Sequence, residues 1–362
     1  MPNPLPPPLE YDATLIRSIH EAASALGGVA SIYQFVPNPA LLVIPFLNLE
    51  AVMSSRIEGT VTTTEALFEA NVAPLSEVTE PTREVANYLK AMNRGMELLK
   101  EIPISLRLVR ELHRTLLDNT RGDGPQAGLF RSQQVHIGRR GRPISEASYV
   151  PPPPNLIPQL MDDWEKYLHK DATPSPLVHC AILHAQFEMI HPFSDGNGRL
   201  GRLLMSLLLI SEGHLPQPLL FLSAYFERFR DEYLSSLAQI STEGNWRDWV
   251  IYFLEAVRVQ SDAAVAAAKA ITNLREQMRE QIGTTHIGQL HRVIDLLFEN
   301  PVVTVAFVAE RLGMTQPTAA RAIEKLQEHG FLLETTGKTR YRRYAAVPIL
   351  RAIEQATLAP GE

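Results

Sequence analysis

The chain has 362 residues, 45% of them hydrophobic, and a formal net charge of −6 at pH 7. That length can bury a large core in two or three units, and the acidic balance excludes a chain-wide basic footprint for nucleic acid. A single cysteine excludes a disulfide scaffold and fits a reducing cytoplasm.

The first residues, Met1-Pro2-Asn3-Pro4, do not form a charged-then-apolar leader, so a cytoplasmic location is expected. Apolar runs fall short of the roughly 18 residues of a membrane span, and no membrane partner is expected. Further along, Phe46, Leu49, Val52 or Met53, and Ile57 fall on one face of a helix, and Gly59 reads as its stop. On residue type alone Glu58 is a carboxylate at that helix end. Helical periodicity recurs over Thr82–Leu99 and Ser105–Leu117, with Ser105 as N-cap of the second. Val135 and Ile137 alternate around His136 before a basic tip, Arg139-Arg140-Gly141-Arg142, which predicts a short β-hairpin. The run Pro151–Pro154 is a stiff exit from it.

A helix over Pro176–Ile190 carries His179, Cys180 and His184, whose spacing matches no zinc pattern and reads as core histidines. It leads into His191-Pro192-Phe193-Ser194-Asp195-Gly196-Asn197-Gly198-Arg199-Leu200-Gly201-Arg202, followed by a long apolar helix. A Gly-Asn-Gly turn opening a helix presents free backbone N–H groups and the positive end of the helix dipole to an anion. Arg199 and Arg202, three residues apart, add two guanidinium forks suited to phosphate oxygens. Asp195 is a hard oxygen ligand of the kind Mg²⁺ takes alongside substrate phosphates. His191 can accept a proton from an attacking hydroxyl near neutral pH. These parts together point to transfer of a phosphorus group.

Beyond an Ala-rich helix over Ser261–Ile282, Thr304–Met314 and Thr315–Leu326 read as two helices joined by a short Gly turn. Phe331–Glu334, Gly337 and Arg340–Tyr344 then supply a strand-turn-strand. Between residues 304 and 345 there are seven Lys/Arg against four Asp/Glu, concentrated at Lys338, Arg340, Arg342 and Arg343. A DNA reader needs such charge, yet Glu324 and Glu328 share the second helix with Arg321 and Lys325.

The twelve-residue run resembles the signature of Fic-domain proteins, His-x-Phe-x-Asp/Glu-Gly-Asn-Gly-Arg-x-x-Arg, with every fixed position filled. The resemblance implies a mainly α fold: a Fic-type helical core with a β-hairpin flap. It implies protein adenylyl transfer, in which AMP moves from ATP to a Ser, Thr or Tyr hydroxyl of a target protein or of the chain itself. Carried over, His191 is the base and Asp195 holds Mg²⁺. Gly196, Asn197 and Gly198 form the anion hole, Arg199 and Arg202 take the outer phosphates, and Phe193 anchors the loop. The flap at Val135, His136 and Ile137 binds an extended target segment by strand addition. Tyr233 is assigned to the nucleoside pocket.

Ser54-x-x-x-Glu58-Gly59 resembles the family's N-terminal inhibitory motif, which implies that Glu58 pairs with Arg202 and repels the phosphate tail of ATP. The tail resembles a winged-helix domain, a small α+β unit. The expected layout is an inhibitory region at 1–102, the catalytic core at 103–260, a helical linker at 261–288 and the winged helix at 289–362. Two other readings stay open: removal of AMP or another nucleotidyl transfer at the same site, and a DNA-binding regulator with a nucleotide-sensing core. The target, a homo-oligomeric state and the winged helix's choice between DNA and protein are not set by the sequence.

Overall fold

A computed structural model of the protein describes residues 2–36, 38–120, 124, 126–138, 143–170, 174–282 and 287–355. In chain order its helices are α1 (Ala13–Phe35), α2 (Ala40–Ile57), α3 (Thr64–Ala70), α4 (Glu80–Leu98), α5 (Leu106–Leu117) and α6 (Ile157–Leu168). Then follow α7 (Pro176–Ile190), α8 (Asn197–Ser211), α9 (Leu222–Arg228), α10 (Arg230–Glu243) and α11 (Trp246–Ile282). The C-terminal part holds α12 (Ile287–Glu299), β1 (Val302–Val303), α13 (Val305–Leu312), α14 (Gln316–Glu328), β2 (Leu333–Glu334), β3 (Tyr344–Ala345) and α15 (Val347–Gln355).

Side-chain caps fix many of the starts. Asp12, Thr63, Thr79 and Ser105 each accept from a backbone N–H three residues on, satisfying donors the first turn leaves orphaned. The stop after α2 is a Schellman turn. Thr60 N–H donates to Ser55 O at 3.0 Å and Gly59 N–H to Arg56 O at 2.9 Å, with Gly59 at φ +87°.

Helix α2 lies at the centre, packed against α4, α8, α9, α11, α12 and α15, with Phe46 edge-on to Phe221 at 5.2 Å. Among the described residues it is the one helix apolar and long enough to cross a bilayer, with mean hydropathy 1.5 over 18 residues, contrary to the expectation that no stretch is. Of that window, 72% is buried inside the protein. Helix α1 runs along α11, and α11 is continuous from Trp246 through residue 260, so the predicted Ser261–Ile282 helix begins fifteen residues early. Trp246 and Trp249, both fully buried, account for that early start by seating its first turns in the core.

In the C-terminal part, α13 and α14 are joined through Gly313 at φ +63°, and the strands form one antiparallel sheet in the order β1-β3-β2. Val302 pairs with Ala345, and Leu333 pairs with the other edge of the same residue. This is the helix-turn-helix with a wing read from the sequence. The predicted hairpin at 135–149 is much slighter: a single antiparallel bridge joins Ile137 and Tyr149. Pro151 and Pro153, the next hydrogen-bonding positions opposite residues 135 and 133, lack the N–H groups that would extend a ladder. The basic tip Arg139–Arg142 lies outside the described residues.

Candidate active site

Helix α7 ends at His191, which takes a left-handed conformation (φ +50°, ψ +61°), uncommon for a non-glycine residue. The turn carries the chain away from α7 and lets the next five residues fold back to start α8. Asn197 fastens this loop: its Nδ2 donates to Phe193 O, and Phe193 N–H donates to its Oδ1, both at 2.9 Å. The carboxamide is therefore spent on the loop, and only the backbone of Asn197 is left to face an anion. Phe193 is fully buried and stacks on His113, with ring centroids 3.8 Å apart. His113 in turn accepts from Gly128 N–H on Nδ1 and hydrogen-bonds Asp195 O through Nε2. Burial lowers its pKa to about 4, and the neutral ring suits those two bonds.

Gly196 caps α8 at φ +76°, a backbone position suited to glycine. A Cβ on Gly198 would overlap Glu58 Oε1. The Glu58 carboxylate thus stands directly over the first turn of α8, in the space a phosphate would use. Arg202, 1% exposed, donates from Nη2 to Glu58 Oε1 at 2.7 Å and to Ser54 O at 2.8 Å, and from Nε to Ser54 Oγ at 2.9 Å. Burial opposes the charge on Glu58, but Arg202, Arg199 and His191 outweigh it and leave the carboxyl below its ordinary pKa. Burial likewise opposes the charge on Arg202, yet Glu58, Tyr233 and Glu188 hold its pKa raised.

Arg199 is also buried, and neither its Nε nor its Nη1 has a hydrogen-bond partner. Its carboxylate neighbours stand off, Glu84 at 3.7 Å and Asp195 at 3.8 Å. A buried guanidinium so poorly matched is complementary to an incoming oxyanion. Asp195, by contrast, keeps 61% of its side-chain exposure at the mouth of the loop. His191 Nδ1 is buried without a partner, and burial lowers the imidazole's pKa to about 4 even though Glu58 pulls it upward.

The structure thus brings His191, Asp195, Gly196, Gly198, Arg199 and Arg202 together around the head of α8 and adds Ser54 and Glu58 from the end of α2. Val135 and Ile137 are half-buried, His136 is exposed, and Tyr149 anchors their segment by donating to Met189 O at 2.8 Å. Tyr233 departs from the expectation. It is 2% exposed and hydrogen-bonded to His184 at 2.8 Å among Phe226 and Trp249, so it stands behind Arg202 within the core. His184 and His179 are the expected core histidines, the latter bonded to Tyr167 O at 3.1 Å. Among the described residues no three His, Cys, Asp or Glu side chains cluster as a metal site.

Sequence reading gave no role to Arg131. It is 2% exposed and donates to His191 O at 2.8 Å, Gln133 O at 3.0 Å and Pro152 O at 2.6 Å. One side chain so ties the loop after α7 to the flap segment and its proline exit. Glu188 was also missed; burial raises its carboxyl to about 8 beside Arg202.

Residues 103–209 match the Fic/DOC family, residues 16–97 its N-terminal region, and residues 290–347 an HTH DNA binding domain. The chain is 27% identical over 280 residues to the protein adenylyltransferase Fic of Drosophila virilis, an alignment covering 76% of this chain and 49% of that protein. It is 32% identical over 166 residues to the Drosophila melanogaster protein of the same name, covering 44% and 32%. The chain therefore spans half or less of the length of these relatives. Among solved structures, a Fic family protein from Desulfovibrio desulfuricans G20 shares the fold at TM-score 0.61 and 21% identity, over 94% of this chain and 98% of that one. Fic-1 from C. elegans does so at TM-score 0.52 and 20% identity, over 73% and 74%. The complete signature loop at the head of α8, together with both matches to its two regions, establishes that the chain belongs to the Fic/DOC family.

Proposed function

We propose that the protein is an adenylyltransferase, autoinhibited by Glu58, that moves AMP from ATP to a hydroxyl of a protein target and of itself. The observation that carries this reading is the Glu58 carboxylate seated over the first turn of α8 on Arg202, with His191 near it and Arg199 lacking hydrogen bonds on Nε and Nη1. A carboxylate held where N–H groups and two arginines converge marks an anion site. ATP's outer phosphates would replace it there. The hydroxyl oxygen of the target then attacks the α-phosphorus and gives its proton to the imidazole of His191. The bond to the β-phosphate oxygen breaks, and pyrophosphate leaves. A neutral imidazole at pH 7 is ready to accept, as its lowered pKa requires.

The donor set fits Mg²⁺ in a limited way. Asp195 is one exposed carboxylate at the loop's mouth, suited to an ion that takes its other ligands from phosphate oxygens and water. With ATP bound, such an ion would neutralise charge between the phosphates. Arg131 and Asn197 hold the loop and the carbonyl of His191, so that the base and the anion site keep one geometry. Intact-mass analysis of the Glu58→Gly protein after incubation with ATP and Mg²⁺ tests the reaction. Addition of one AMP is expected, and none in Glu58→Gly/His191→Ala; addition of phosphate instead would reject the reading.

We also propose DNA as the ligand of the winged helix, supported by its match to an HTH DNA binding domain and by the exposed Lys338, Arg340 and Arg342 on the wing.

A further inference from the structure

Residues 58–84 touch arginines at two distant places. At one end Glu58 holds Arg202, and Thr60 Oγ1 donates at 2.8 Å to Glu84, whose carboxylate faces Arg199. At the other end Glu69, on α3, and Glu77 both take Arg343 at the base of the wing, Nη1 lying 2.5 Å from Glu69. Between them Asn71 donates to Asn300 Oδ1 at 2.8 Å, and Asn300 donates back to Phe68 O at 3.2 Å. The winged-helix elements α12 and α15 pack on α2 itself. One continuous segment therefore connects the inhibitory contact to the wing.

The wing offers a reason for the connection. Val72, Pro74 and Glu77 face Lys338, Arg340 and Tyr341 across a groove, and Tyr341 is 89% exposed. Two carboxylates occupy the guanidinium fork of Arg343, a donor geometry that also suits phosphate oxygens. On α14 the exposed residues are of both signs, Arg321 and Lys325 beside Glu324 and Glu328, so the positive charge is concentrated on the wing itself.

We infer that residues 58–84 are an acidic strap coupling the wing to the inhibitory contact: duplex DNA along the wing competes with Glu69 and Glu77 for Arg343, and the loosened strap lets Glu58 leave Arg202. The catalytic half of this inference rests on the proposed adenylyl transfer, and the competition for Arg343 on the proposed DNA binding. Coupling is reciprocal, so the strap weakens DNA binding by the factor by which DNA weakens the strap.

The test uses the full chain and a fluorescein-labelled mixed-sequence DNA duplex at fixed low salt, read by anisotropy. Glu69→Ala/Glu77→Ala is compared with wild type and with a charge-matched control, Glu97→Ala/Glu101→Ala, outside the strap. The strap variant is expected to bind about fivefold tighter than the control. It is also expected to self-adenylylate faster than wild type while adding nothing in the Glu58→Gly background. Arg343→Ala should weaken DNA binding yet raise self-adenylylation, opposite signs that misfolding does not produce. Equal DNA binding by strap and control variants, or none by either, overturns the inference, as does a strap effect that persists without Glu58. If the Glu58→Gly protein transfers no AMP, the proposed reaction fails, while the anisotropy comparison still decides the competition at Arg343.

Discussion

His191 shows how one residue's backbone and protonation serve the same end. Its left-handed turn aims the loop back over α8, and its buried surroundings lower its pKa to about 4. Below the ordinary value of 6.5 the imidazole stays neutral, and it takes up a proton only as pH falls through the lowered value. Removing Glu58 removes an influence that raises this pKa. In the Glu58→Gly protein, kcat/KM for ATP is therefore expected to stay level from pH 7 to about pH 5, where an unperturbed histidine would have lost most of its activity. A half-maximal point near 6.5 would contradict the assigned environment. Asn197 makes the second residue-scale case. Asn197→Ala strands Phe193 N–H and C=O inside the loop and should cost about 2–4 kcal/mol in urea unfolding. The twelve-residue signature was legible because its parts are contiguous. Arg131, His113 and Glu84 were not, because their significance comes from partners between 60 and 115 positions away.

At the scale of elements, the proposed inhibitory contact, Glu58 on Arg202, joins the C-terminus of α2 to the N-terminus of α8. Glu58 stands at the end of its own helix where a negative charge is disfavoured, and over the end of α8 where one is favoured. It is therefore held by α8 and Arg202 rather than by α2, and an anion that binds α8 better can displace it. The Schellman turn at Gly59 fixes where the carboxylate points. Ser54 sets the other side of Arg202, so Ser54→Ala should weaken the inhibition and raise self-adenylylation several-fold, less than Glu58→Gly does. Glu58→Gly leaves a buried guanidinium without its charged partner and should lower stability by about 1–2 kcal/mol, discounted for the 42% exposure of the Glu58 side chain. Saturating ATP should restore the loss, seen as a larger Tm rise in the variant than in wild type. Periodicity and caps revealed these helices from the sequence. Among the described residues the flap holds one bridge rather than a ladder, because alternation of Val135 and Ile137 says nothing about whether the facing segment has donors to give.

Across the whole molecule, one apolar core runs from Leu15 in α1 to Ile353 in α15. The winged helix is not a bead on a linker: α12 and α15 close over α2, and Asn300 and Arg343 bond into the segment that follows it. Calorimetry of the intact chain should accordingly give one cooperative transition, and a separate low-temperature transition for the winged helix would oppose that picture. The order of units was readable along the chain, but their union was not, since a helix-turn-helix pattern records its own core and not the second face it buries.

The central claim is that Glu58 and the phosphate tail of ATP compete for Arg202 at the head of α8. The most direct measurement is the initial rate of AMP incorporation from α-labelled ATP for wild type, Glu58→Gly, Arg202→Ala and the double variant. Glu58→Gly is expected to exceed wild type by about tenfold or more, equivalent to about 1.4 kcal/mol, and the gain should vanish once Arg202 is absent. Equal rates for wild type and Glu58→Gly, or a gain that survives without Arg202, would contradict it.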